Sequence, residues 1–252
     1  MHFHFVFSAT EILWTLTFAA ELVLLVVLLG RERARRFPWF TASIALMAVL
    51  ELVRQVLNGR VSQLAYTGAF LAVSDVVSVV GVLVIVELAR RAFKGASTQS
   101  LAIGAAAMLA VAGAVLALWG PWPAWKTLTD RSLLAGLRDL QMMADKGALL
   151  NAVLGIELGV VVALFGRRFD AGWRTHVQQI AIGLSTVGLA QIAVRAVWQA
   201  IVFHTVVRSH EQYDRLMALR DRLYHASSVV FLCALVWWIG WLWGEEKAGN
   251  RE

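Results

Sequence analysis

Seven apolar stretches divide most of this chain between them, at approximately 7–29, 39–58, 66–89, 100–120, 147–165, 177–203 and 223–243. Each approaches or exceeds the roughly 20 residues an α-helix needs to cross a hydrocarbon core. Within that core every backbone N–H and C=O must be paired inside its own segment, so these stretches can be nothing but helices. Only 16% of the 252 residues are charged, against about a quarter in a soluble domain. The longest connections, about 120–146 and 204–222, leave little room for a separate soluble unit. The expected fold class is an all-α integral membrane protein, one seven-transmembrane-helix bundle over residues 1–252. Any activity then resides among the helices or with a partner.

The net charge of +6 is not a nucleic-acid signal, because the basic residues sit in short loops beside helix ends rather than on a folded basic face. RERARRFPW, ARRAFK, GRRFDAGWR and the tail GEEKAGNRE carry 12 Lys and Arg, and the opposite side carries 9 in longer connections. The positive-inside rule weights the short loops, which puts the N-terminus outside and the C-terminus in the cytoplasm. Trp39, Trp119, Trp122, Trp125, Trp173, Trp241 and Trp243 fall near segment ends, as an interfacial aromatic belt requires. The first segment lacks a basic leader region in MHFHFVFSATEILW and is expected to stay as a span.

An internal likeness runs along the chain. AELVLLVVLLGRERARRF set beside IELGVVVALFGRRFDAGW aligns Glu21 with Glu157, Gly30 with Gly166 and Arg31 with Arg167 without a gap. VSDVVSVV against ASSVVFLC aligns Ser74 with Ser227 and Asp75 with Ser228. Two readings fit: a 3+1+3 parallel repeat over 7–92 and 147–245 with the segment at 100–120 as linker, or chance similarity between apolar runs. The parallel arrangement occurs in small sugar transporters.

Two connections carry helical pattern. Residues 120–146 hold Leu133, Leu134, Leu137, Leu140 and Met143 at amphipathic spacing after Asp130, a fitting N-cap. They are expected to form a short helix lying on the outer membrane surface. Ser209 and Gln212 have capping-box spacing, so the seventh helix should begin well outside the bilayer.

The polar residues inside the spans are the candidate site. At 1.5 Å per residue, Glu21 and Glu157 lie about 13 Å above the cytoplasmic helix ends, as midplane carboxylates. Arg54, Asp75, Asn151, Gln191, Arg195 and His225 lie at about 22–28 Å, with Glu51 slightly deeper. An arginine at the depth of Arg195 costs a few kcal/mol on insertion scales, about 3, unless it faces a wet cavity or an anion. It should therefore point inward, with Asp75 and Glu51 as its expected partners and Arg54 sharing the same acids. These residues form either a buried ion-pair network that fixes helix register or an outward-open pocket in which arginine holds an anionic group. Glu21 and Glu157 either carry protons or hydrogen-bond to neighbouring helices. Glu87, beside Arg90 and Arg91, reads as a surface residue at the cytoplasmic interface.

Several functions are disfavoured. No lysine lies in the seventh segment to hold retinal, and no histidine or cysteine spacing fits a metal site, so no cofactor is expected. Cys233 reads as a small apolar filler. No nucleophile or phosphate-loop motif points to an enzyme. No proline falls inside a segment, which weakens a transporter that rocks about helix kinks.

RARRFPWF after the first segment, VIVELARRAF closing the third, GRRFDAGWRTHVQQIAIGL entering the sixth and VWWIGWLW ending the seventh resemble a group of bacterial seven-transmembrane-helix proteins to which no activity attaches. The resemblance covers most of the chain and is similar in outline to seven-helix membrane sensor modules. It implies a multi-pass protein of a bacterial inner membrane, partnered by the lipid bilayer and by another membrane or cytoplasmic protein, without nucleic acid. The leading expectation is a receptor-like sensor that binds a small ligand in an outward polar cavity and signals through a separate partner. An accessory subunit of a larger membrane complex is the alternative, and a proton-coupled transporter the third reading.

Overall fold

The computed structural model describes residues 9–57, 60–120, 122, 132–166, 175–205 and 209–245. They form eight helices: α1 (Ala9–Gly30), α2 (Arg33–Arg36), α3 (Pro38–Leu57), α4 (Gln63–Ala92), α5 (Thr98–Leu118), α6 (Leu133–Phe165), α7 (His176–His204) and α8 (His210–Trp243). All but the one-turn α2 are long and apolar enough to cross a membrane. Asp130, Trp125, Trp173, Arg167 with most of the GRRFDAGWR loop, and the tail beyond Glu245 lie outside the described residues.

Helix starts follow local capping chemistry. Ser62, Ser97, Ser132, Thr175 and Ser209 each accept a hydrogen bond from the backbone N–H three residues on, pairing a donor that has no partner within the helix. The Ser209 cap confirms that the seventh span starts far upstream of its apolar part. Ser132 corrects the expectation for the preceding connection. The helix it caps runs unbroken from Leu133 to Phe165, so Leu133, Leu134, Leu137, Leu140 and Met143 belong to the span's own first turns rather than to a separate surface helix. No proline lies between Leu133 and the apolar part of α6, so the helix continues without a break.

Six helices close a ring in the order α1, α3, α4, α6, α7, α8 and back to α1, while α5 stands outside and packs on α6. Polar and small residues set the spacing. Asn151 Nδ2 on α6 donates to Ser78 O on α4 at 2.8 Å, and Gly81 leaves room for that amide, since a Cβ there would lie 2.6 Å from Asn151 Oδ1. Ser185 Oγ on α7 donates to Gly155 O on α6 at 2.8 Å. Gly183 makes way for the indole of Trp238 on α8. Small residues at such contacts are the usual route to close helix packing in lipid.

The packing is uneven along the bundle axis. Leu28, Phe40, Ile44, Leu88, Leu158 and Trp238 are all buried, and they gather at the end where α1, α4, α6 and α8 finish and α3 and α7 begin. A capping interaction closes this end. The N-cap position of α3 is Phe37, which has no side-chain acceptor, and Pro38 has no N–H. The next two donors, Trp39 N–H and Phe40 N–H, bond instead to Glu87 Oε2 from α4, at 3.2 and 3.1 Å. Glu87 is therefore buried, which corrects its reading as a surface residue. Basic residues complete the seal: Arg91 lies 5.2 Å from the centroid of the Phe37 ring, Arg31 lies 5.0 Å from that of Trp243, and Arg33 Nη2 donates to Gly244 O at 3.2 Å. Cys233, expected as filler, is exposed on the outside of α8.

Candidate functional site

Away from this end the ring is looser, and two adjoining spaces lie there, one in the middle of the ring and one toward its opposite end. Residues at helical spacing line the first from five helices: Phe40, Ile44 and Met47 on α3, Ser74, Ser78 and Gly81 on α4, Ala148, Asn151 and Gly155 on α6, Leu184, Gly188 and Gln191 on α7, and Phe231 and Trp238 on α8. This central cavity has a volume of about 330 Å³. Its floor is the edge-to-face pair Phe40 and Trp238, with ring centroids 5.2 Å apart. Its serine hydroxyls bond to carbonyls of their own helices, so the surface they leave is largely apolar.

The second space is a cleft of about 820 Å³ among α5, α6, α7 and α8. The inward stripe of α7 continues from Gln191 to Arg195 and Trp198, and that of α6 runs back from Ala148 to Asp145, Gln141 and Arg138. Trp119, Trp122 and Tyr224 add aromatic walls. Gln191 and Ala148 line both spaces, so cleft and cavity adjoin there. Cations outnumber acids in the cleft by Arg138, Lys146 and Arg195 to Asp145.

Each cleft charge has a distinct situation. Lys146 Nζ donates to Leu116 O at 2.9 Å and to Trp119 O, and sits 4.4 Å from the centroid of Trp122. It caps the carbonyl end of α5, where positive charge is favoured. Lys146→Met is expected to lower stability by about 2 kcal/mol, the range for charged hydrogen bonds, and to speed amide exchange in the last turn of α5. Unchanged exchange there would show that the lysine does not hold that end. Arg195 Nη1 donates to Asp145 O at 3.0 Å, and Nη2 stands 3.8 Å from Asp145 Oδ1. The Arg195 side chain keeps 30% of its surface exposed and that of Asp145 58%. A pair this open contributes at most about 1 kcal/mol and leaves guanidinium surface facing the cleft. Arg138 is exposed, with no ion pair among the described residues.

The expected partners of Arg195 are thus corrected. On α4 the residues facing the ring axis are Ser74, Val77, Ser78 and Gly81, and Asp75, about 100° round the helix from Ser74, points elsewhere and makes no ion pair among the described residues. Glu51 and Arg54 continue the α3 stripe beyond the residues that line the cavity. Arg54 is exposed and unpaired among the described residues, and Glu51 Oε2 is buried without a hydrogen-bond partner. Glu51 is close enough to Glu21 to interact with it electrostatically. His225 faces α1, where its Nε2 lies 3.0 Å from Thr10 Oγ1. Of the expected layer, Asn151, Gln191 and Arg195 therefore come together, while Asp75, Glu51, Arg54 and His225 do not join them. Glu21 and Glu157 line neither space, and their buried carboxyl oxygens, Glu21 Oε2 and both of Glu157, have no hydrogen-bond partner among the described residues.

Asp145, Lys146 and Arg138 went unmarked because the sequence places them in a connection. Asp145, Ala148 and Asn151 share one helical face, and that spacing was the signal available. His176, Gln178 and Gln179 are buried at the entry of α7, where the spacing THVQQ offered no chemical motif.

These features define a multi-pass membrane protein with an amphipathic cleft toward one end of a six-helix ring and a cavity in its middle. The sequence profile of the family described as TMEM128 protein matches residues 28–136. The match runs from the end of α1 through α5 into the first turn of α6, so Arg195, Asn151 and Gln191 lie beyond it. No curated protein and no solved structure matches the chain.

Proposed function

We propose that this chain is a receptor-like membrane protein that binds a small anionic ligand in the Arg195 cleft and relays binding to a separate partner protein. The observation that carries the reading is a partly exposed guanidinium in an 820 Å³ cleft that also holds Arg138. A sealed ion pair would have argued for structure alone. The positive-inside distribution turns the cleft outward, away from the basic loops. α7 and α8 both line the cleft and pack together at the far end through Gly183 and Trp238. An anion that draws Arg195 from Asp145 therefore acts on helices that reach the opposite face. The ring order, three helices followed by three with α5 outside, is what a 3+1+3 duplication would build, and supports that reading of the internal likeness. A proton-coupled transporter gains no support, since Glu21 and Glu157 line neither space.

The test is binding of a panel of carboxylates and phosphates to the full chain in zwitterionic nanodiscs, read by thermal shift. Arg195→Gln is expected to weaken the bound anion about tenfold to a hundredfold, as for loss of a charged hydrogen bond. No anion-dependent shift, or a shift unchanged in both Arg195→Gln and Arg138→Gln, would overturn the reading.

A further inference from the structure

The two spaces differ in chemistry yet share a boundary. The cleft is cationic and aromatic, whereas the cavity is lined mostly by apolar side chains and by serines whose hydroxyls already donate to their own helices. At the boundary stands Gln191, one turn of α7 from Arg195, with its side-chain amide making no hydrogen bond among the described residues and accessible from both sides. A ligand that used the cleft alone would leave an apolar space of about 330 Å³ beside it, within the about 300–1,000 Å³ range of small-molecule pockets.

We infer that the site takes a single-chain anionic amphiphile, with its head at Arg195 and Arg138 and its hydrocarbon tail passing Gln191 and Ala148 into the central cavity. The inference rests on the cleft reading above and adds the chemical class of the ligand. A methylene group occupies about the volume of a water molecule, about 30 Å³, so the cavity accommodates a tail of about ten carbons. The head finds two guanidinium groups, which bind carboxylate or phosphate oxygens in pairs. Trp119, Trp122 and Tyr224 flank the upper chain, as amphipathic rings do where headgroup meets hydrocarbon. Ala148, which lines both spaces, is small and leaves room at this boundary.

The test is photolabelling of the full chain in zwitterionic nanodiscs with decanoate bearing a diazirine on its terminal carbon, followed by mapping of the adducts by mass spectrometry. The expected adducts fall on cavity residues such as Met47, Val77 and Phe231, and excess decanoate suppresses them. Met47→Trp, which fills the cavity at a residue that does not line the cleft, should reduce them at least tenfold while leaving thermal shifts by a short carboxylate such as butanoate in place. Val77→Phe, which fills the cavity from another helix, provides the same test should the first variant not fold. Arg195→Gln should lose both readouts. Adducts confined to lipid-facing residues such as Val79, Leu109 and Val160, which are all exposed on the bundle, would overturn the tail assignment while the butanoate response kept the cleft reading alive. Loss of adducts and of every anion response in the parent chain would overturn both. Displacement of the cavity adducts by lysophosphatidylglycerol built into the disc would assign the site to a single-chain membrane lipid. Displacement by decanoate alone would assign it to a free amphiphile, and either result supports the proposal.

Discussion

Gly188→Leu is expected to prevent the chain from folding, whereas Gly104→Leu should leave it unchanged. A Cβ at position 188 would lie 2.7 Å from Ala152 O and 3.2 Å from Ala152 Cα. These are backbone atoms of α6, which cannot swing aside as a side chain can. α6 and α7 would have to separate along a contact that also holds Ser185 Oγ on Gly155 O and seats Gly155 against Leu184. Overpacking of this kind costs typically about 1–3 kcal/mol and more when backbone must move. Without hydrophobic attraction between helices in lipid, close packing is the principal force lost. Gly104 on α5 has no atom within 4 Å of the added carbon, which makes it the matched control. The check is monodispersity and thermal unfolding in mild detergent. Equal behaviour of the two variants would contradict the packing of α6 on α7.

Glu87→Ala is expected to cost about 2–5 kcal/mol, and Glu87→Gln distinctly less. One carboxylate oxygen accepts from two backbone donors at the start of α3, and Phe40, whose N–H is one of them, is almost wholly buried. Deleting the acceptor leaves both donors unpaired, that of Phe40 in a buried site and that of Trp39 in a part-buried one, at up to about 1–3 kcal/mol each. It also removes negative charge from a helix N-terminus. Glutamine keeps one oxygen in place. Thermal unfolding of both variants would separate these outcomes, and an alanine variant as stable as the parent would show that the cap is dispensable.

The helices were legible because membrane burial fixes them by length and hydropathy, and the structure departs most at the starts of α6 and α8. Both begin with amphipathic turns that lie beyond the apolar core, so hydropathy placed the boundaries too late. Ser209 announced the true start of α8 through its capping box. Ser132 also caps its helix, but with Ala135 three residues on it forms no capping box, and Asp130 after the two prolines offered a competing N-cap. The site was less legible than the fold for a geometric reason. Depth can be counted along a helix, but which face looks inward depends on the neighbour it packs against. Arg195 and Gln191 lie four residues apart and share the inner face of α7. Asp75 lies at a fitting depth yet sits one residue off the inner face of α4. Glu87 shows the same limit, since its partner is the start of a helix 47 residues away.

The cleft also explains how an arginine can sit in α7 at such cost. Asp145 answers only part of its charge, and the remainder faces a space bounded by aromatic rings and adjoining the central cavity. A structural ion pair alone would require neither the second arginine nor the empty volume.

The measurement that tests this account most directly is a density map of the full chain purified in its native lipid. The account predicts elongated non-protein density that begins beside the Arg195 guanidinium and runs past Gln191 toward Phe231. A cleft closed by Arg195 and Asp145, with no density in it and no continuity to the cavity, would contradict it.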